Sequence, residues 1–321
     1  MNATGYFSHK ECKKHEMGAG HPECPERLDA IEDWLLATGV ADALAQREAP
    51  LAALADIELA HDRMMVAAIR GLSDQLTDDI LAGGPAYAAI DPDTFLNVHS
   101  YRAALRAAGA VMAATDSVIA GEMENAFCGV RPPGHHAEHD KAMGFCIFNN
   151  IAIAAKYALE RHGLKRVAVV DFDVHHGNGT EDILRGDDRV LMVSFFQHPF
   201  YPYSGAEPHG HPSDGNMVNL PVPAYTKGMD IREMIEMFWM PRLDAFKPQM
   251  IFISAGFDAH RDDDLGQLGL VEQDYAWITQ RLKDVAYRHA KGRIVSSLEG
   301  GYNLNALARS VEAHIRVLAD L

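Results

Sequence analysis

The stretch Asp171-Phe172-Asp173-Val174-His175-His176-Gly177-Asn178-Gly179 places two carboxylates and two imidazoles directly behind the apolar run Val167 to Val170. Such an arrangement reads as a buried strand delivering ligands to its C-terminal end, where open parallel sheets bind their substrates. Alternation along a strand would send Asp171, Asp173 and His175 to one face. Oxygen and nitrogen donors without thiolate suit zinc or another borderline divalent ion. Together with Asp258, in Ala255-Gly256-Phe257-Asp258, Asp173 and His175 supply three protein ligands. Three ligands leave one coordination position open, which describes a catalytic metal site better than a closed structural one. A cation so held would activate water and polarise a carbonyl.

A second group of residues is suited to moving protons. His135 and His136 stand in tandem behind Arg131-Pro132-Pro133-Gly134, whose prolines would hold the imidazoles stiffly. Histidine is the side chain best poised for proton transfer near neutral pH, so the pair reads as a general base and acid with an electrostatic helper. Tyr302 follows Glu299-Gly300-Gly301, and a phenol on a turn that lets backbone approach a ligand is suited to stabilising an oxyanion. The plainer alternatives are a solvated acidic turn, a packed histidine pair and a core tyrosine.

These residues need a frame. Short apolar runs at 126–130, 166–170, 190–194, 250–255 and 294–298 read as buried parallel strands. Helical spacing occupies 26–37, 100–120, 149–161, 229–245, 274–289 and 305–321. Strand alternates with helix, so the predicted class is α/β with helices on both sheet faces. Nearly all of the unusual residues fall in the loops after the strands at 126–130, 166–170, 250–255 and 294–298, and those four ends are expected to converge on one crevice.

With 321 residues and 48% hydrophobic content, the chain can bury a large core, and no linker or repeat divides residues 1–321, which read as one domain. The polar N-terminus lacks an apolar leader core, and no segment is expected to reach membrane-spanning length, which points to a cytoplasmic protein. Cys12, Cys24, Cys128 and Cys146 form no CxxC pair, in keeping with a reducing compartment. A formal charge of −16 argues against unaided nucleic-acid binding and would mildly favour cationic substrates.

The runs RPPGHH (131–136), DFDVHHGNG (171–179), AGFD (255–258) and EGGY (299–302) resemble, in order and approximate spacing, the zinc-dependent histone deacetylases, most of all the class II branch and its bacterial amidohydrolase relatives. His21-Pro22-Glu23-Cys24-Pro25-Glu26-Arg27 and Gly144-Phe145-Cys146-Ile147-Phe148-Asn149-Asn150 extend the resemblance over nearly the whole chain. It implies the arginase-deacetylase fold, a mostly parallel eight-stranded sheet in a three-layer αβα arrangement. It also implies that Asp173, His175 and Asp258 bind Zn2+, that His136 is general base and then acid, and that His135 pairs with Asp171. Asp171 and Asp173, with groups around His175, Ser194 and Phe195, would form a K+ site. Phe145 and Tyr201 would wall an acyl-lysine channel, with Gly144 and Gly300 lining it. Where class I members carry an aspartate behind the second histidine, this chain has Asn178, as class II members do.

The active centre alone does not choose the substrate, because acetylpolyamine hydrolases share it. Polyamine-selective relatives carry an acidic gatekeeper in the loop after the Asp258 ligand, and the alignment puts Leu265 there, which favours acyl-lysine in proteins or peptides over small acylated amines. Asp263 and Asp264 stand beside it, either attracting a polyamine or simply solvated. A non-catalytic module binding acyl-lysine or metal is disfavoured by the intact site, and an arginase-like two-metal centre lacks the additional carboxylates. His198, His209 and His211 lie in a Pro-rich loop, either at the channel mouth or solvated. A homo-oligomer is compatible with the sequence.

Overall fold

The computed structural model of the protein describes residues 3–206 and 215–321. The chain runs β1 (Gly5–Ser8), α1 (Glu26–Ala37), β2 (Ala45–Glu48), α2 (Leu54–Ile57), α3 (Arg63–Leu81), β3 (Ala88–Asp91), β4 (Thr94–Leu96), α4 (Ser100–Ala120) and β5 (Asn125–Cys128). It continues through α5 (Asn150–Glu160), β6 (Val167–Asp171), α6 (Asn178–Leu184), β7 (Val190–Gln197), β8 (Met217–Val222), α7 (Gly228–Met234), α8 (Met240–Phe246), β9 (Ile251–Ala255), α9 (Glu272–His289), β10 (Ile294–Leu298) and α10 (Leu304–Leu318).

Among the described residues, eight strands form one parallel sheet in the order β2-β1-β5-β10-β9-β6-β7-β8, while β3 and β4 make a separate antiparallel hairpin. The four strands predicted to feed the crevice, β5, β10, β9 and β6, are the central four and are neighbours. This placement follows from the crossovers. β9 inserts between β6 and β10, so the Asp258 loop emerges between the Asp173 loop and the Tyr302 loop.

Helices α1, α10 and α9 pack side by side in one layer, and α4 and α5 in the other. Every side chain of β6 and β9 is buried, as befits strands covered on both faces. A fully buried Val or Ile contributes roughly 1.5–3 kcal/mol. A core of dozens of such groups can therefore carry the cost of several desolvated carboxylates at one strand end, about several kcal/mol each.

Three strands of the eight-stranded sheet, and both strands of the β3–β4 hairpin, were not evident in the sequence. β1 is four residues long; β2, Ala45-Gln46-Arg47-Glu48, is an exposed polar edge; and β8 carries Pro221, which an edge strand tolerates. Helices α2, α3 and α6 were also missed, and the expected helix at 229–245 is broken by a π-helical turn at Ile235–Trp239. Contrary to the expectation from sequence, α4 is long and apolar enough to cross a membrane; 67% of its apolar window is buried inside the protein, which explains its composition as that of a core helix.

Candidate active site

β6 ends at Asp171, so the alternation expected through His175 does not continue as a strand. Instead the main-chain N–H of Asp173 donates to Asp171 Oδ1 at 3.1 Å, and that of His175 donates to Asp173 Oδ1 at 2.9 Å. Two successive side-chain-to-backbone turns replace the ladder, because aspartate readily caps the N–H two residues on. The sorting of faces survives: Phe172 and Val174 are buried in the core, while Asp171, Asp173 and His175 meet polar partners.

His175 Nδ1 lies 3.0 Å from Asp173 Oδ1 and 3.2 Å from Asp258 Oδ2. Two atoms bound to one tetrahedral zinc at its usual bond lengths lie about 3.3 Å apart, so the spacing fits shared coordination. Asp258 Oδ1 accepts the Val174 N–H at 2.8 Å, whereas its buried Oδ2 has no hydrogen-bond donor aligned on it. Asp173, His175 and Asp258 converge as a three-ligand cluster within 4.8 Å. Burial, and then the Asp173 charge, push the Asp258 carboxyl up to about 7. Burial also opposes ionisation of Asp173, yet the His135 and His175 imidazoles hold it below the ordinary carboxylate range. An orphaned oxygen in a buried, charge-rich cluster is what a divalent cation would satisfy.

The tandem histidines sit in opposite environments. His135 Nδ1 donates to Asp171 Oδ2 at 3.0 Å, and its Nε2 is 3.8 Å from Asp173 Oδ2. Burial disfavours its charge, but the Asp173 and Asp171 carboxylates prevail and raise it well above the usual imidazole range. His136 is lowered well below that range by burial and then by the neighbouring His135 and His175. It pairs with Asn178, as expected, at 2.7 Å, and the Asn178 amide in turn donates to Glu138 at 2.7 Å. The arrangement can therefore supply one imidazolium and one neutral imidazole side by side, ring centroids 4.0 Å apart.

Glu299 opens the EGGY run but had no role in the sequence reading. Its Oε2 accepts the N–H groups of Gly134 at 2.6 Å and His135 at 3.1 Å, and its Oε1 accepts Ser254 Oγ at 3.1 Å, stitching the histidine loop to the ends of β9 and β10. Gly300 donates its N–H to Asp173 Oδ2 at 2.9 Å, and a Cβ there would lie 2.0 Å from Asp258 Oδ2. Only glycine admits that approach. Arg27, in the His21–Arg27 run, donates Nε to the Gly301 carbonyl at 2.7 Å and lies 4.9 Å over the Tyr302 ring.

The predicted walls are beside the centre. Phe145 meets Tyr302 edge-on at 5.9 Å, and Tyr201 meets His136 edge-on at 5.2 Å. Gly144 has φ +58°, and a Cβ would be 2.5 Å from the His136 ring. Phe145 itself holds φ +68°, an uncommon conformation for an aromatic residue, with its N–H fixed by Thr94 Oγ1 at 2.9 Å. Phe200, passed over in favour of Tyr201, stacks on His175 at 5.4 Å; its position next to Tyr201 was the only signal. Tyr302 is half-buried, and burial raises its phenol well above the usual range, keeping it a donor.

Not every expectation holds. Asp263 is neither a solvated turn acid nor free to attract a polyamine: it is buried and accepts three main-chain N–H groups, from Leu265, Tyr302 and Asn303. Asp264 is exposed and Leu265 half-buried. Asp171 and Ser194 are register neighbours; the Ser194 hydroxyl donates to Asn219 at 3.0 Å, which leaves its oxygen lone pairs available, while the Phe195 ring stacks on Trp239 and leaves that residue its main-chain oxygen as a means of holding an ion. His198 is half-buried, and its main-chain N–H donates to the Val222 carbonyl of β8. His209 and His211 lie outside the described residues.

Fold and site together define an α/β protein in which Asp173, His175 and Asp258, grouped so that they could hold a metal ion, stand with a histidine pair at the carboxyl ends of a parallel sheet. The histone deacetylase domain matches residues 21–318. A histone deacetylase-like amidohydrolase of Pseudomonas aeruginosa is 40% identical over 89% of this chain and 73% of its own length. A probable deacetylase of Archaeoglobus fulgidus is 38% identical over 94% of this chain and 82% of its own. The type-2 histone deacetylase 2 of Dictyostelium discoideum is 45% identical over 71% of this chain, which spans only 14% of that protein. The crystal structure of the HDA15 HD domain superposes with a TM-score of 0.91 at 35% identity, covering 100% of this chain and 90% of that one. The chain belongs to the histone deacetylase family and has its α/β arginase-deacetylase fold.

Proposed function

We propose that the protein is a zinc-dependent amidohydrolase that removes acetyl or other acyl groups from lysine side chains of proteins or peptides. The observation that carries this reading is the placement of His136 beside the three-residue cluster, its ring 5.7 Å from that of His175, where burial and the neighbouring imidazoles disfavour its charged form. Asp173, His175 and Asp258 would hold the cation, which when bound supplies electrophilic activation of water and of the amide carbonyl.

The chain's own groups would do the rest. His136 Nε2 takes the proton of the attacking water while its Nδ1–H stays on Asn178. The water oxygen bonds to the carbonyl carbon, and the Tyr302 phenol donates to the oxyanion that develops. His136 returns its proton to the amine nitrogen as the C–N bond breaks, giving carboxylic acid and amine. Transfer of the carboxyl proton to the amine leaves carboxylate and ammonium as products. His135, charged through Asp171 and Asp173, adds a fixed positive charge beside the developing anion. Phe145 and Tyr201 would flank the acyl-lysine chain and exclude water.

A potassium ion beside Asp171 and the main chain at Ser194 and Phe195 is part of the proposal; a crystal grown in potassium chloride with no density there would remove it. Four unpaired cysteines support a cytoplasmic setting. The second reading, acetylpolyamine hydrolysis, draws on the exposed Asp264 beside Leu265, but it loses Asp263, whose oxygens are already engaged. The two readings separate on kcat/KM of zinc-loaded protein for an acetyl-lysine peptide against N-acetylputrescine and N8-acetylspermidine. Preference for the peptide is expected, and preference for the polyamines would overturn the lysine assignment.

A further inference from the structure

We propose that Asp263 is a positioning residue that holds the Tyr302 phenol and the Leu265 rim in one geometry through a single buried carboxylate. The inference rests on the roles proposed above for Tyr302 and Leu265. Asp263 lies in the loop after β9, five residues beyond the Asp258 ligand by sequence number, and is 5% exposed. Its Oδ2 accepts the Tyr302 N–H at 2.6 Å and the Asn303 N–H at 2.9 Å; its Oδ1 accepts the Leu265 N–H at 3.0 Å. Its own N–H donates to the His260 carbonyl at 2.9 Å, which closes the turn around it.

A buried carboxylate is retained at a cost unless its oxygens are satisfied, and here the satisfaction comes wholly from main-chain donors of two different loops. Tyr302 follows Gly300-Gly301, a pair with no side chain to brace the turn, so its position depends on what grips its main chain. Arg27 grips the carbonyl side at Gly301 and Asp263 the N–H side at Tyr302. Asn303 is also the N-cap of α10, accepting the Ala306 N–H at 3.0 Å, so the same carboxylate ties the tyrosine to the start of a rigid helix. Catalytic donors must be held to within about 0.5 Å of the productive geometry, which is the tolerance a lost main-chain anchor would exceed.

The two oxygens separate the two duties. In Asp263→Asn, the remaining oxygen can keep the Tyr302 and Asn303 donors while Leu265 loses its acceptor; in Asp263→Ala both are lost. Turnover within about threefold of wild type, with a changed peptide-to-polyamine ratio of kcat/KM, is expected for D263N. A kcat loss of roughly tenfold or more, at one equivalent of bound zinc, is expected for D263A.

The decisive readout is the cycle with Tyr302→Phe on zinc-loaded protein. If Asp263 acts through the phenol, D263A costs less than about twofold in the Y302F background. Multiplying losses would overturn the inference and leave the Tyr302 role intact, whereas an unimpaired Y302F would remove both. Should D263A fail to fold, D263N decides alone: an unchanged peptide-to-polyamine ratio of kcat/KM would show that the carboxylate does not hold the Leu265 rim and would overturn the proposal.

Discussion

Nδ1 of His136 lies 2.7 Å from Oδ1 of Asn178, and Nδ2 of the same amide donates to Oε1 of Glu138 at 2.7 Å. A carboxylate only accepts, so the amide NH2 must face Glu138 and the amide oxygen must face the imidazole. His136 therefore carries its proton on Nδ1 and presents the Nε2 lone pair to the reaction. Asn178→Asp would place a second carboxylate next to Glu138 and favour the imidazolium form. The acid limb of kcat/KM is expected to move to higher pH by roughly one unit, read from a pH–rate profile. An unchanged profile would disconnect Asn178 from His136.

Tyr302→Phe removes one donor to the oxyanion and leaves the ring that faces Phe145 in place. Turnover is expected to fall on the order of a hundredfold or more, with KM little changed. Wild-type kcat in this variant would take the phenol out of the reaction.

Metal removal should expose the charge imbalance of the cluster. The Asp258 carboxyl is raised to about 7 by burial and the Asp173 charge, so the folded metal-free protein binds a proton more tightly than the unfolded chain. Stability from that proton is full below the unfolded carboxylate range and lost as pH rises through about 7. Glu299, also raised to about 7, contributes a slope of the same sign in the metal-free protein. The melting temperature of chelated protein is thus expected to fall between pH 5 and pH 7 more steeply than that of zinc-loaded protein. Parallel curves would count against a cation at Asp258.

Leu265 is a half-buried apolar residue in the loop whose acid, Asp263, is already committed. Leu265→Glu should raise kcat/KM for acetylated polyamines and lower it for the acetyl-lysine peptide, each by roughly tenfold. No change in their ratio would place Leu265 outside the substrate path.

Much of this was legible in residue order. The strand at 294–298 and the helices at 26–37 and 100–120 fall where apolar periodicity places them, because packing and local pattern agree there. The convergence of Asp173, His175 and Asp258 and the hydrogen-bond partners of both histidines were equally readable, since motif residues sit at strand ends. β2 and β8 were not, because edge strands lack the continuous apolar run of buried ones. Asp263 was misread for a different reason: an acid between Asp262 and Asp264 looks solvated, and only the approach of β10's loop supplies the Tyr302 and Asn303 donors that bury it. Glu138 likewise acquires meaning only when α6 brings Asn178 to it.

The most direct test is to strip the protein with chelator and titrate zinc back while following acetate release from an acetyl-lysine peptide. Activity absent at the start, rising in proportion to added zinc and levelling at about one equivalent, is expected for a site of three ligands with one position open, and Asp258→Asn should stay inactive at that concentration. Full activity in the stripped protein, or in Asp258→Asn without added metal, would contradict it.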